Sequence, residues 1–154
     1  MSVHIDVQEA DFDAGAEIAA LAAEDLGAGG LASFIGRVRG DADGLAAMTL
    51  EHYPAMTEKS LAAIVADALQ RWPLRGVRVI HRVGRLLPGE QIVLVAVAAA
   101  HRGEAFAGCE FIMDWLKTKA PFWKKEETAT GARWVDARES DDAAAARWGQ
   151  GAAD

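Results

Sequence analysis

The chain has 154 residues, 51% of them hydrophobic, and a formal net charge of −7, enough apolar material for one core and within the usual length of a single domain. That acidic balance excludes a general binder of nucleic acid or of anionic membrane surfaces, because such partners demand a basic face. The longest uninterrupted apolar run, Ile92 to Ala100, covers nine residues, half of the ~18 to 20 needed to cross a bilayer.

In chain order, Val3 to Val7 alternates and predicts a short strand, and Asp13 caps a helix running to Glu24. Glycines between 27 and 30 break that helix. Leu31 to Arg39 reads as a strand, Gly40 to Gly44 as a turn, and Leu45 to His52 as the returning arm of a hairpin. Met56 to Trp72 carries apolar residues at helical spacing (Leu61, Ile64, Val65, Ala68, Leu69, Trp72) and stops at Pro73. Val77 to Val83 and Gln91 to Ala100 predict two strands joined through Gly84 to Glu90. The second is so uniformly apolar that both its faces are expected to be covered, which makes it central in a sheet.

Gly103 to Ala120 is the next helix, closed by Pro121, and Phe122 to Glu127 with Arg133 to Asp136 predicts a last hairpin. Beyond residue 140 the composition turns to Asp, Ala and Gly, so residues 141–154 are expected as a frayed or disordered tail behind a single domain of residues 1–140. The mixed order of strands and helices favours an α+β fold over a doubly wound sheet. An opening rich in acids, MSVHIDVQEADFD, lacks the basic and apolar regions of a secretion signal, so a cytoplasmic protein is expected. The lone cysteine, Cys109, excludes an internal disulfide and a multi-cysteine metal site and reads as a buried core thiol.

Four of the five lysines, Lys117, Lys119, Lys124 and Lys125, fall in one nine-residue window, whereas Arg dominates the remaining cations. An arginine stays protonated, but a lysine amine crowded by cations or buried can lose its proton and serve as base or nucleophile. Lys117 lies in the last turn of its helix, where a cation also suits the helix dipole. If the segment after Pro121 is extended, Lys124 and Lys125 face opposite sides and only Lys124 turns toward Lys117, with Glu126 in register beside it. His101 and Arg102 stand between the buried strand and a helix N-terminus, a natural place for an anion. Arg37 and Arg39 share a strand face and make a third cationic segment.

Other chemistries lack their marks. The chain has no Walker loop, no GxGxxG opening a helix, no HExxH and no Gly-x-Ser-x-Gly elbow. His4, His52 and His81 read as structural histidines, and the five tryptophans as packing residues.

Six segments, GRVR (36–39), LEHYPAMTEK (50–59), VIHRVGRLLPGE (79–90), AHR (100–102), FIMDWLKTKAPFWKKE (111–126) and GARWVDARESD (131–141), resemble the large, catalytic subunit of molybdopterin synthase, in order and over nearly the whole chain. The resemblance implies a single-domain α/β hammerhead with a mixed, largely antiparallel sheet and flanking helices. It implies a sulfurtransferase of molybdenum cofactor biosynthesis that converts cyclic pyranopterin monophosphate (precursor Z) into molybdopterin. Its sulfur donor would be the C-terminal thiocarboxylate of a small ubiquitin-like subunit. It also implies a homodimer at the centre of a heterotetramer, and neither metal nor other cofactor, since the sulfur arrives activated. The end, GQGAAD, lacks a terminal Gly-Gly, as expected of the acceptor subunit.

By position, the resemblance makes Lys117 and Lys124 the catalytic lysines. It assigns substrate binding to Arg37, Val38 (through its backbone), Arg39, His101, Arg102, Lys117, Lys124, Lys125 and Glu126. The acidic loop from Gly40 to Gly44 looks shorter than in some relatives. The competing readings are a non-catalytic phosphate-metabolite sensor or docking scaffold on the same fold, and a lysine patch that only contacts an acidic protein.

Overall fold

The computed structural model of the chain describes residues 2–40, 44–135 and 139–149. Its elements are β1 (Ser2–Gln8), α1 (Ala14–Glu24), β2 (Gly30–Arg37), β3 (Leu45–His52), α2 (Met56–Arg71), β4 (Leu74–Arg82), β5 (Gly84–Leu86), β6 (Gln91–Ala99), α3 (Arg102–Lys119), β7 (Phe122–Thr128), β8 (Gly131–Val135) and α4 (Glu139–Ala146). Local signals set most boundaries. Asp13 accepts a hydrogen bond from the Ala16 amide at 3.0 Å and starts α1. Glu58 accepts one from the Ala55 amide at 3.1 Å at the head of α2.

The strands divide into two four-stranded sheets, ordered β1-β4-β6-β2 and β5-β3-β7-β8. All pairings are antiparallel except β1 with β4, which is the mixed, largely antiparallel α+β character expected of the sequence. β6 is interior to the first sheet, and its alternation distributes two faces to two cores. Val93, Val95, Val97 and Ala99 pack under α2 and α3, while Leu94, Ala96 and Ala98 pack with Leu21 of α1 and Ile80 of β4. The valine, leucine and isoleucine side chains among them, fully removed from water, each stabilise the fold by about 1.5–3 kcal/mol.

The hairpin expected between Leu31–Arg39 and Leu45–His52 does not form. β2 pairs with β6 and β3 with β5 and β7, in different sheets. The register of β2 slips between Gly36 and Arg37, and the chain then leaves the first sheet, with Val38 donating to the Glu90 carbonyl at 2.9 Å. Val38 thereby joins Met48, Leu50 and Leu86 in a third core under the second sheet. Burial of that apolar set outweighs the local turn signal of the Gly-Asp-rich loop, of which residues 41–43 lie outside the described part. The stretch from Gly84, read as a connection, contributes the short strand β5. Asp136, placed in the last strand by sequence, lies outside the described residues.

After Val135 the described chain resumes as α4, with Ala145 2% exposed. Trp148 stands edge-on to Trp72 and Phe111, both at 5.6 Å between ring centroids, and its Nε1 donates to Asp114 at 2.7 Å. This end is thus fastened to α3 and to the α2 terminus. Residues 150–154 lie outside the described part. Among the described residues no helix is long and apolar enough to cross a membrane.

Candidate active site

A cavity of about 550 Å³ opens where the inner face of the second sheet meets the end of α3 and the ends of β2, β4 and β6. Strand alternation builds one wall. On β7 the side chains of Lys124, Glu126 and Thr128 share a face, and register sets Lys124 between Leu50 and Val135, and Glu126 between Met48 and Arg133. Each of these residues lines the cavity. Lys117 enters from the last turn of α3, and Arg37 and Arg39 come from the end of β2 and the segment after it. Arg37 is steadied by its Nε, which donates to the Gly89 carbonyl at 3.2 Å.

Five cationic side chains, Arg37, Arg39, Lys117, Lys124 and Arg133, line this space against two carboxylates, Glu126 and Asp141, in a chain whose overall charge is −7. Glu126 is partly engaged with Arg133 at 3.8 Å. Among the described residues, Lys117 has no hydrogen bond and no ion pair. This excess of cations over carboxylates suits an anionic ligand, and the volume fits a small molecule.

His81 of β4 forms part of the floor. It is 5% exposed, stacks on Phe122 with ring centroids 3.8 Å apart, and its Nδ1 lies 2.8 Å from the Arg82 carbonyl oxygen. A carbonyl only accepts, so Nδ1 carries the proton and Nε2 keeps its lone pair. Burial first, and then the charges of Lys117 and His52, hold the imidazole down at about 4, so it is neutral at ordinary pH.

The sequence-derived residues therefore separate. Arg37, Arg39, Lys117, Lys124 and Glu126 meet in one cavity. Val38 is 2% exposed, and its backbone groups are engaged, the amide with Glu90 and the carbonyl with Gly89. Lys125 turns to the opposite face, as alternation requires, and its amine lies 5.5 Å from the centroid of the Trp134 ring. Lys119 also points away, 5.8 Å above Trp115. His101 and Arg102 stand at the other end of α3 from Lys117, about 22 Å away at 1.5 Å per residue, outside this cavity.

Sequence reasoning took His81 as a structural histidine and did not single out Arg133. Arg133 begins the second arm of the expected hairpin and could have been found by pairing it with the arm that carries Glu126, whereas nothing local marked His81. Trp123 and Trp134, expected to pack in the core or at an interface, are 41% and 56% exposed on the outer face of the second sheet. Among the described residues no three His, Cys, Asp or Glu side chains cluster to hold a metal ion.

A family model described as "MoaE protein" matches residues 7–119. The chain is 67% identical over 147 residues to a Ralstonia nicotianae protein named "Molybdopterin synthase catalytic subunit", covering 94% of this chain and 84% of that protein. A solved structure described as a molybdopterin biosynthesis MoaE protein from Burkholderia ambifaria superimposes with a TM-score of 0.84 at 60% identity, covering 96% of this chain and 98% of that one. The fold also matches a chain of a Helicobacter pylori complex of subunits 1 and 2 of molybdopterin-converting factor, with a TM-score of 0.72 at 20% identity and coverage of 88% and 91%.

Proposed function

Because the chain belongs to the MoaE protein family, we propose that it is the catalytic subunit of a molybdopterin synthase, taking sulfur from the thiocarboxylate end of a small ubiquitin-like subunit and delivering it to cyclic pyranopterin monophosphate in the cytoplasm. The observation that carries this reading is the cavity in which Lys117 and Lys124 face each other's side of the second sheet among arginines. Both reactants are anions, one a cyclic phosphate and the other a thiocarboxylate, and a cationic pocket in an acidic protein can gather them together. In the transfer, the thiocarboxylate sulfur forms a bond to a substrate carbon while a carbon–oxygen bond at that carbon breaks and its oxygen leaves with a proton. Water then adds to the acyl carbon, the acyl carbon–sulfur bond breaks with its electron pair going to the sulfur now held by the substrate, and the small subunit departs as a carboxylate.

Lysines suit both demands of that exchange. An ammonium stabilises negative charge developing on the acyl oxygen, and a neutral amine accepts a proton. Lys117, with no carboxylate partner among the described residues, is assigned the proton-handling role, and Lys124 the neighbouring charge. Single-turnover conversion of the cyclic phosphate by this chain with its thiocarboxylated partner tests the assignment. Lys117→Ala should lower product formation by 100-fold or so, the range of a lost acid–base group, with complex formation on gel filtration unchanged. A folded, partner-bound wild type without product would sink the reading.

The distance from Lys117 to His101 and Arg102 supports a two-fold homodimer. In one chain these residues cannot reach the same ligand, so each pair is assigned to the pocket of a second copy, as an isologous arrangement allows. Mixing Lys117→Ala with Arg102→Ala chains tests this directly. If the pair acts across the dimer, mixed dimers regain one intact site and activity recovers to roughly a quarter of wild type for random pairing. If the pair acts within its own chain, the mixture stays as inactive as its components.

A further inference from the structure

The mechanism above leaves one polar group in the cavity unused. His81 is almost wholly buried, yet it lines the space that Lys117 enters from α3. Its Nδ1 proton is committed to the Arg82 carbonyl and its ring is clamped against Phe122. The ring can therefore neither rotate freely nor exchange tautomers without losing a buried hydrogen bond. What it offers the cavity is the Nε2 lone pair, which has no donor among the described residues.

Lys117 presents the complementary deficit, an amine with no acceptor among the described residues. The two side chains line the same cavity, and the lysine charge adds to the burial that keeps the imidazole neutral. Lys117 is a solvent-exposed side chain on four rotatable bonds, and a proton-handling group needs a fixed direction. We propose that His81 is a positioning residue for Lys117: its Nε2 accepts a hydrogen bond from the Lys117 amine and holds that amine toward the ligand.

A neutral acceptor suits this task better than a carboxylate. A carboxylate would hold the amine as ammonium through a full opposite charge, whereas an imidazole lone pair orients it with a weaker preference for the protonated form. Other charges around the ring do not substitute for it. His52 approaches from β3, Arg82 neighbours it on β4 and sends its guanidinium to Glu9, Asp11, Glu90 and Gln91, and Lys124 stands across the cavity on β7. Of these only His52 carries an imidazole lone pair, and it lines a separate depression with Tyr53, Trp123 and Trp134 rather than this cavity.

The consequence for turnover rests on the sulfur-transfer reading, but the contact does not, so the two can fail separately. Lysine Cε and histidine ring-nitrogen NMR signals of the intact chain read the contact without substrate. In wild type, Nε2 should give the signal of an unprotonated nitrogen and shift in Lys117→Ala. The Lys117 Cε signal should shift in His81→Leu, which removes the acceptor, and return toward wild type in His81→Gln, which restores one.

With the partner subunit and substrate, His81→Leu should lower the single-turnover rate by about tenfold at saturating substrate, with substrate affinity changed less than about threefold, and His81→Gln should recover part of the rate. A protonated Nε2 in wild type, or a ring signal unmoved by Lys117→Ala, would overturn the proposal even if His81→Leu failed to fold. Loss of rate in both His81 variants with the Lys117 Cε signal unchanged would make His81 merely structural and would overturn it too. Absence of turnover in wild type would count against the sulfur-transfer reading and leave the NMR result to decide the contact.

Discussion

His81 links stability to pH through one buried ring. Unfolded, its imidazole has the ordinary value of 6.5, while in the fold burial holds it at about 4. As pH falls below 6.5 the unfolded chain takes up the proton first, so stability is complete above 6.5 and is lost down to about 4, where the loss levels off. At 1.36 kcal/mol per unit the full effect is on the order of 3 kcal/mol. Urea midpoints of wild type and His81→Gln across that window should differ, with the shallower acid limb in the variant. Cys109 shows the same force on the opposite kind of group: burial pushes its thiol up to about 11, which fits the inert core thiol expected from its helix position. The residue types legible in advance were those whose task follows from their own chemistry, such as Asp13 as a cap or Lys124 by alternation. His81 was illegible because its role comes from Phe122, Arg82 and Lys117, which reach it from two other elements and its own neighbour.

At the scale of elements, β6 owes its central place to composition. Seven consecutive residues, Val93 to Ala99, are no more than 3% exposed, and only an interior strand covered on both faces can bury such a run. The approach of β2 to the end of β6 is equally tight. Gly29 donates to the Ala99 carbonyl at 2.9 Å, and a side chain added at Gly29 would run into the Ala100 carbonyl oxygen. Backbone cannot swing aside as a flexible side chain can, so Gly29→Ala should lower stability by about 1–3 kcal/mol, read as a shift in the urea midpoint with an unchanged slope. The failed hairpin between β2 and β3 belongs to this scale as well. A Gly-Asp loop between two apolar segments looks the same in sequence whether the strands pair or part. The slip at Arg37 and the burial of Val38 among Met48, Leu50 and Leu86 appear only when the second sheet is present to receive them.

Across the whole molecule, the two sheets are joined by α3, which packs its apolar face on the first and delivers Lys117 to the second. The C-terminal helix reinforces that strut. Trp148 covers Phe111 and Trp72, and Arg147 pairs with Glu110 and Asp114 on α3. Trp148→Ala should cost roughly 2 kcal/mol, below the ~3–5 kcal/mol of a fully buried tryptophan because the ring is partly exposed. It should also lower the thermal midpoint while leaving Lys117 chemistry intact at lower temperature. A midpoint equal to wild type would show that this end contributes nothing to the strut.

The sequence alone determined the family through GRVR, LKTKAPFWKKE and the segments between. It also determined most helices and strands through apolar period, and the facing of Lys124 against Lys125 through the two-residue repeat of a strand, because these properties are local. Tertiary structure alone decided which distant segments share a cavity. It brought Arg37, Arg39, Lys117, Lys124 and Glu126 together with the unforeseen His81 and Arg133, and it kept His101 and Arg102 at the far end of α3. The reason is physical: proximity across a sheet interface is set by how apolar surfaces find mutual burial, and no residue carries that information by itself.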